Sequence, residues 1–325
     1  MMFLSTIIPT IGRPTLPRAI NSVLGQEFEE EEFEVVVVND TGRELPQADW
    51  QNHPNVRMIT TNRLNRCIAR NTGAAIAKGE YLHFLDDDDW MLPGAFESFW
   101  KASKSSSAAW YHGAFTLTDN SGDKIIDVFP EESNNCFIQL ISWEWLPLQA
   151  SIIDANAFFK VGGFEMLEAL KGGFEDIDLS RKIARYYDFM NIPNLVASIR
   201  AGDVGSTTNY GGMFIQNRRS RENALDMTGA FQRLVSSAQK SSAQKEYWYG
   251  RMVYCYMGSA VINMKQKRLF TAISRALHAL ASLLLASRYI LKADFWRGLL
   301  KPHYTRVWMT LMESEIELSR IPQWN

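Results

Sequence analysis

Four consecutive aspartates, Asp86-Asp87-Asp88-Asp89, follow the apolar run Tyr-Leu-His-Phe-Leu. Adjacent carboxylates repel one another, and strand packing gives no reason to collect four of them. A hard divalent cation such as Mg²⁺ or Mn²⁺ relieves that repulsion, taking oxygen from one or two carboxylates and from substrate phosphates. A solvated acidic turn that caps the next helix is the plainer reading, and it accounts for a pair of aspartates better than for four. Asp40 closes the run Val-Val-Val-Val-Asn, where a carboxylate suits the N–H and hydroxyl donors of a base or ribose. Arg70 carries a guanidinium suited to phosphate or to a neighbouring aspartate. A second acidic group, Glu175-Asp176 with Asp178, opens a predicted helix after Gly172-Gly173-Phe174. Acidic residues favour such a helix start through the backbone dipole, by about 0.3–1 kcal/mol.

Alternating strand and helix patterns place these groups. Residues 4–8 read as a short buried strand, and 16–26 as a helix with Leu16, Ile20, Val23 and Leu24 on one stripe. Residues 33–38 form a continuous β-branched run, the signature of a strand buried on both faces. A further strand is expected at 56–60, a helix at 65–78 with Gly79 beyond its end, and a strand at 81–85. This spacing predicts an α/β fold with a mostly parallel sheet flanked by helices. Ligands bind beyond the carboxyl ends of such strands, so Thr10–Arg13, Asn39-Asp40 and Asp86–Asp89 should converge. Residues 108–128 are less regular, 142–200 mix short strands with a helix from Glu175, and the chain after Gln216 reads as helical.

In order along the chain stand Ser-Thr-Ile-Ile-Pro-Thr-Ile-Gly-Arg-Pro, Val-Val-Val-Asn-Asp, Arg70-Asn71-Thr72-Gly73 and Gly-Glu-Tyr-Leu-His-Phe-Leu-Asp-Asp-Asp-Asp. Val161-Gly-Gly-Phe-Glu and Gly-Phe-Glu175-Asp176-Ile-Asp-Leu follow them. Over roughly residues 3–210 this resembles glycosyltransferase family 2, inverting enzymes of the GT-A fold that use nucleotide sugars. The resemblance implies that Pro9, Thr10 and Arg13 line a nucleotide pocket, that Asp40 binds the base, and that Arg70 approaches the nucleotide. It implies Asp86 and Asp87 at the donor, with Asp87 facing the ribose, Asp88 as metal ligand, and Asp89 as an orienting or capping group. It makes Asp176 the general base, and Mn²⁺ or Mg²⁺ the cofactor. Its expected partners are a UDP-, GDP- or dTDP-type sugar donor and a glycan or lipid-linked acceptor, in polysaccharide or glycoconjugate synthesis. Many members carry a histidine after the arginine that follows the last core strand. Ile199-Arg200-Ala-Gly-Asp203 has none, which leaves Asp203 as a substitute oxygen ligand or the metal without that contact.

Among the histidines, His83 alternates with strand core positions and reads as structural, whereas His112 is a candidate for the donor sugar. Trp143 and Trp145 offer either stacking surfaces for an acceptor or plain core. Two other activities fit less well. A sugar nucleotidyltransferase needs a glycine-rich phosphate loop, and Thr10–Leu16 holds one glycine. A catalytically silent nucleotide-sugar-binding module has no need of Asp40, Asp88 and Asp176 together. No G-x-G-x-x-G follows the first strand, against a dinucleotide-binding oxidoreductase.

The 325 residues carry a formal charge of −2 that conceals an asymmetry, because residues 232–325 hold fourteen Lys and Arg against five Asp and Glu. A catalytic unit over 1–225 and a basic helical region over 226–325 are expected, with no nucleic-acid partner. The three cysteines are widely spaced, as free thiols in a reducing cytoplasm would be. The opening residues read as a buried strand and not a signal peptide. Lys265–Arg268 precede Leu269, Ile273, Leu277, Leu280 and Leu284 at helical steps. That pattern predicts either a helical hairpin packed on the catalytic unit or a second subunit, or a basic amphipathic surface resting on the inner face of a membrane.

Overall fold

A computed structural model describes residues 2–29, 32–165, 174–201, 210–240, 244–301, 303 and 305–313. Its centre is a nine-stranded sheet. Strands β1 (Leu4–Thr10), β2 (Phe33–Asn39), β3 (Val56–Thr60) and β4 (Tyr81–Phe84) run parallel in the order β3-β2-β1-β4. Every residue of β2 is buried. Val35 and Val37 enter one hydrophobic cluster, and Val36 and Val38 the other. The period-two geometry of a strand thus divides one valine run between two helix-covered faces.

Beyond β4 the pairing changes direction. β8 (Ser151–Asp154) lies antiparallel to β4, and β6 (Trp110–Thr118) antiparallel to β8. β9 (Phe189–Arg200) then runs parallel to β6, while β5 (Trp90–Met91) caps the edge antiparallel to β9. The expected parallel sheet is thus its first four strands, and the remainder is mixed. The irregular stretch near 108–128 is β6 and a hairpin partner, β7 (Lys124–Val128).

Helix α1 (Leu16–Leu24) begins with Pro17 in its first turn and buries Leu16, Ala19, Ile20 and Val23. Helix α2 (Arg66–Ile76) starts at Asn65, whose side chain accepts the N–H groups of Cys67 and Ile68. It then crosses β1 and β2 closely at Gly73, where a Cβ would stand 2.5 Å from Ile7 Cγ2 and 2.9 Å from Val38 Cγ2. Helices α3 (Ala95–Ser105), α4 (Phe137–Ile141) and α5 (Ala155–Lys160) complete the sheet's cover, and α6 (Glu175–Ala184) carries the second acidic group.

The carboxyl-terminal helices α7 (Tyr210–Leu225), α8 (Ala230–Lys240), α9 (Lys245–Lys265), α10 (Leu269–Leu285), α11 (Ala293–Leu300) and α12 (Arg306–Glu313) follow. Trp248, Met252 and Tyr256 of α9 share one hydrophobic cluster with Ile7, Val36 and Phe84 of the sheet. No helix among the described residues is long and apolar enough to cross a membrane.

The crossing at Gly73 sets the distance between α2 and the strands that carry Thr10 and Asp40. The branched side chains Ile7 and Val38 cannot swing clear of a larger residue there. Gly73→Val is therefore expected to lower unfolding stability by roughly 1–3 kcal/mol, read as a lower urea midpoint at unchanged slope.

Candidate active site

The parallel register brings the strand ends together: Thr10 pairs with Asn39, Asn39 with Thr60, and Ile7 with Phe84. Asp40 follows β2 directly and is buried. Its Oδ1 accepts from Thr61 Oγ1 at 2.7 Å and from Arg63 N at 2.9 Å, and its Oδ2 from Asn65 N at 2.7 Å. This carboxylate fixes the loop that leads into α2 and retains acceptor capacity on Oδ2. Pro9 lies within β1, half-buried, and Thr10 is buried at the strand's last position.

The four aspartates have separate environments. Asp86 accepts from Arg70 Nη2 at 2.6 Å and from Gln149 Nε2 at 2.9 Å. Burial is the largest influence and would raise its pKa, but the charge and hydrogen bond of Arg70, with the charges of Arg66 and Arg13, together hold it below the ordinary value. Asp87 is buried and accepts from Thr10 Oγ1 and Arg13 Nη1, each at 2.6 Å. Burial leaves its pKa raised despite those partners. Asp88 faces Arg200 Nη2 at 2.5 Å and Arg13 Nη1 at 3.3 Å. Asp89 is buried, accepts the Arg200 N–H at 2.7 Å, and has its pKa pushed well up by burial and by Asp86 and Asp88.

Asp86, Asp88 and Asp89 each present one carboxylate oxygen, all within 4.8 Å of one another. The donor set is wholly hard oxygen, and Asp86 and Asp88 add to burial in raising the pKa of Asp89, a repulsion that a divalent cation would remove. These residues fit Mn²⁺ or Mg²⁺. Beside Asp88, the trio includes Asp89, expected only as an orienting or capping group. Asp89 also ties down the end of β9 by accepting the Arg200 N–H.

Arg70 joins the two acidic groups. From α2 it is buried, and it donates through Nη2 to Asp86 and through Nη1 to Glu175 Oε1 at 2.9 Å. Burial opposes its charge, yet Asp86 and Glu175 together raise its pKa above the ordinary arginine value. Glu175 is also buried, 3.5 Å from Arg66 Nη1, and caps its own helix by accepting the Phe174 N–H. Its pKa lies below the usual carboxylate value, because the Arg70 and Arg66 charges exceed the penalty of burial.

Asp176 stands next to that pair, in the first turn of α6. Its Oδ2 accepts from Trp145 Nε1 at 2.6 Å, and its Oδ1 accepts its helix neighbour's Ile177 N–H at 2.8 Å. Burial and then the Glu175 charge push its pKa up to about 6. A carboxylate tuned toward neutrality can take a proton at physiological pH and release it again. Trp145 packs edge-on against Phe115, so its ring is anchored and its N–H is spent on Asp176. Trp143 packs edge-on against Phe174.

Three contacts here are missing from the sequence reading: Gln149 on Asp86, Arg200 on Asp88, and Trp145 on Asp176. Each joins residues more than thirty positions apart, beyond the reach of local spacing. His83 is buried between Thr6 and the Gln149 carbonyl, with its pKa lowered by burial to about 4. His112 is not at the aspartates. It is buried, and its Nε2 lies 2.6 Å from the Glu132 carbonyl oxygen. Asp203 and Gly172-Gly173 fall outside the described residues.

Residues 5–162 match the profile of glycosyl transferase family 2. Over this amino-terminal stretch, just under half of its length, the chain is similar to that family. It is 25% identical over 174 residues to the poly(ribitol-phosphate) β-N-acetylglucosaminyltransferase TarP of Staphylococcus aureus, covering 52% of this chain and 49% of TarP. It is 30% identical over 112 residues to the GalNAc(5)-diNAcBac-PP-undecaprenol β-1,3-glucosyltransferase of Campylobacter jejuni, covering 32% of this chain and 36% of that one. The chain thus spans about half the length, or less, of these curated relatives. The crystal structure of S. aureus TarS residues 1–349 in complex with UDP-GlcNAc superposes with a TM-score of 0.59 at 14% identity, over 84% of this chain and 90% of that one. That likeness is one of fold, and the chain has the GT-A architecture.

Removing Arg70 leaves Asp86 and Glu175 facing each other without their shared cation. Arg70→Leu is expected to cost about 3–5 kcal/mol of stability, measured by urea unfolding near neutral pH. The loss should shrink at acid pH, where the uncompensated carboxylates take up protons.

Proposed function

We propose that this chain transfers a sugar from a nucleoside-diphosphate sugar to a hydroxyl acceptor with inversion at the anomeric carbon, in glycan or glycoconjugate assembly. One observation carries the reading: buried Arg70 ties the aspartates at the strand ends to the helix start that bears Asp176. A cluster suited to a diphosphate and a carboxylate suited to proton abstraction therefore share one rigid frame. On this reading residues 1–225 form the transferase unit.

Asp40 and Asp87 accept from base and ribose donors at the ends of β2 and β4, beside Pro9 and Thr10. Arg13 and Arg200, which border Asp88, place positive charge where the diphosphate lies. Asp86, Asp88 and Asp89 would hold Mn²⁺ or Mg²⁺, which when bound would supply further positive charge to the leaving diphosphate. Asp176 takes the acceptor hydroxyl's proton as its oxygen bonds to the anomeric carbon. The bond from that carbon to the phosphate oxygen breaks, and the nucleoside diphosphate leaves with the electron pair. Trp145 holds the Asp176 carboxylate in orientation, and its hydrogen bond keeps the pKa from rising further.

TarS was crystallised with UDP-GlcNAc, which makes UDP-sugars the first donors to test, ahead of GDP- and dTDP-sugars. A nucleotidyltransferase would release pyrophosphate where this reaction releases a nucleoside diphosphate. Once a donor is found with Mn²⁺ present, Asp176→Asn is expected to lower kcat by about 10²–10⁴-fold while leaving donor binding intact. In the native enzyme kcat/KM should fall as pH drops through about 6, because protonated Asp176 cannot accept a proton. Trp145→Phe removes a contact that lowers this pKa, so it should move the acid limb to higher pH. An acid limb that does not move in Trp145→Phe, or full activity in Asp176→Asn, would exclude Asp176 as the base.

A further inference from the structure

Helix α10 is amphipathic in the reverse of the usual sense. Its inward face, toward α9, is Ala272, Arg275, Ala279 and Ser282. Arg275 is buried and paired with Asp226. Its outward face is Phe270, Ile273, Leu277, Leu280 and Leu284, with Phe270 93% and Leu284 67% exposed. Met257, Val261 and Met264 of α9 are exposed as well, and so is Leu291 just beyond α10, at 96%. Scattered apolar residues on a surface are ordinary, but a stripe repeated along a helix and continued on its hairpin partner marks a surface meant to be covered.

Charge identifies what covers it. From Tyr247 to Ala293 there is no aspartate or glutamate, while seven lysines and arginines fall in the same stretch. Five of them, Lys265, Lys267, Arg268, Arg288 and Lys292, are exposed. Three sit at the turn between α9 and α10 and two beyond the far end of α10, so cations flank the apolar stripe at both ends. A second copy docked by two-fold symmetry would set basic groups against basic groups. An anionic lipid surface accepts both features, with acyl chains receiving the apolar side chains and headgroups meeting the cations.

We infer that the α9–α10 hairpin is a docking surface for anionic phospholipid membranes, on which the protein lies without crossing. This surface stands independently of the reaction proposed for the aspartate site. None of its exposed residues belongs to that site, and substitutions on it leave the catalytic groups in place.

The test is co-sedimentation of the full chain with extruded vesicles of phosphatidylcholine alone or mixed equally with phosphatidylglycerol. Binding to the mixed vesicles, weakening as salt rises, and little binding to the neutral ones is the expected result. Lys265→Gln combined with Lys267→Gln and Arg268→Gln should lower partitioning on the order of a hundredfold, at about fivefold per cation. Phe270→Ser with Leu277→Ser should lower it at every salt concentration while the thermal melting midpoint holds. No binding to the anionic vesicles at low salt would overturn the inference, as would equal binding by the variants. A stable dimer in sedimentation velocity that Phe270→Ser with Leu277→Ser dissociates would also overturn it, assigning the surface to a second copy.

Discussion

A single buried guanidinium holds the candidate site together. Arg70 reaches from the middle of α2 to Asp86 on one side and Glu175 on the other, residues separated by almost ninety positions. Burial opposes ionisation of both carboxylates and of the arginine, and their mutual attraction is the main term that offsets it, with Arg66 assisting. The relative placing of the aspartate cluster and Asp176 therefore follows from where α2 lies. That position depends in turn on Gly73, whose missing side chain lets the helix approach Ile7 and Val38.

Around that link, charge is used in graded fashion. Asp86 is held ionised by Arg70, Asp87 is enclosed by Thr10 and Arg13, and Asp88 faces two arginines. Asp89 is pressed toward protonation by burial and then by its neighbours. A cation shared by Asp86, Asp88 and Asp89 and a diphosphate near Arg13 and Arg200 would satisfy both excesses of charge together. Asp176 lies outside this balance, near enough to Glu175 to feel its repulsion and tied to Trp145. Its proton affinity is thus set apart from that of Asp86 and Glu175, a separation that acid–base work requires.

What was legible in the sequence is what local pattern encodes. The valine run of β2, helix α2 to within two residues of its ends and the placing of the aspartates after β4 all follow from short-range rules, and the parallel register then makes the strand ends meet. Long-range side-chain partners are not encoded that way. Arg70 could be read as a ligand for phosphate or for an aspartate, but its bond to Glu175 needed the fold. Trp145 could be read as core or as stacking surface, and its role as donor to Asp176 needed the position of α6. The mixed half of the sheet was equally hidden, because short strands of either direction share one pattern. The α10 stripe was visible, but its direction was not: periodicity gives a helix its apolar face without saying whether that face turns inward or outward.

Arg70, Glu175 and Asp176 together leave one carboxylate free to act on the acceptor, and none is assigned as a nucleophile toward the sugar. The most direct measurement is therefore the anomeric configuration of the newly formed glycosidic bond, read by proton NMR on the product of a nucleotide-sugar donor of known configuration. The account predicts a linkage of opposite configuration to the donor. A linkage of the same configuration would require a covalent intermediate or front-side attack, and would contradict the role given to Asp176.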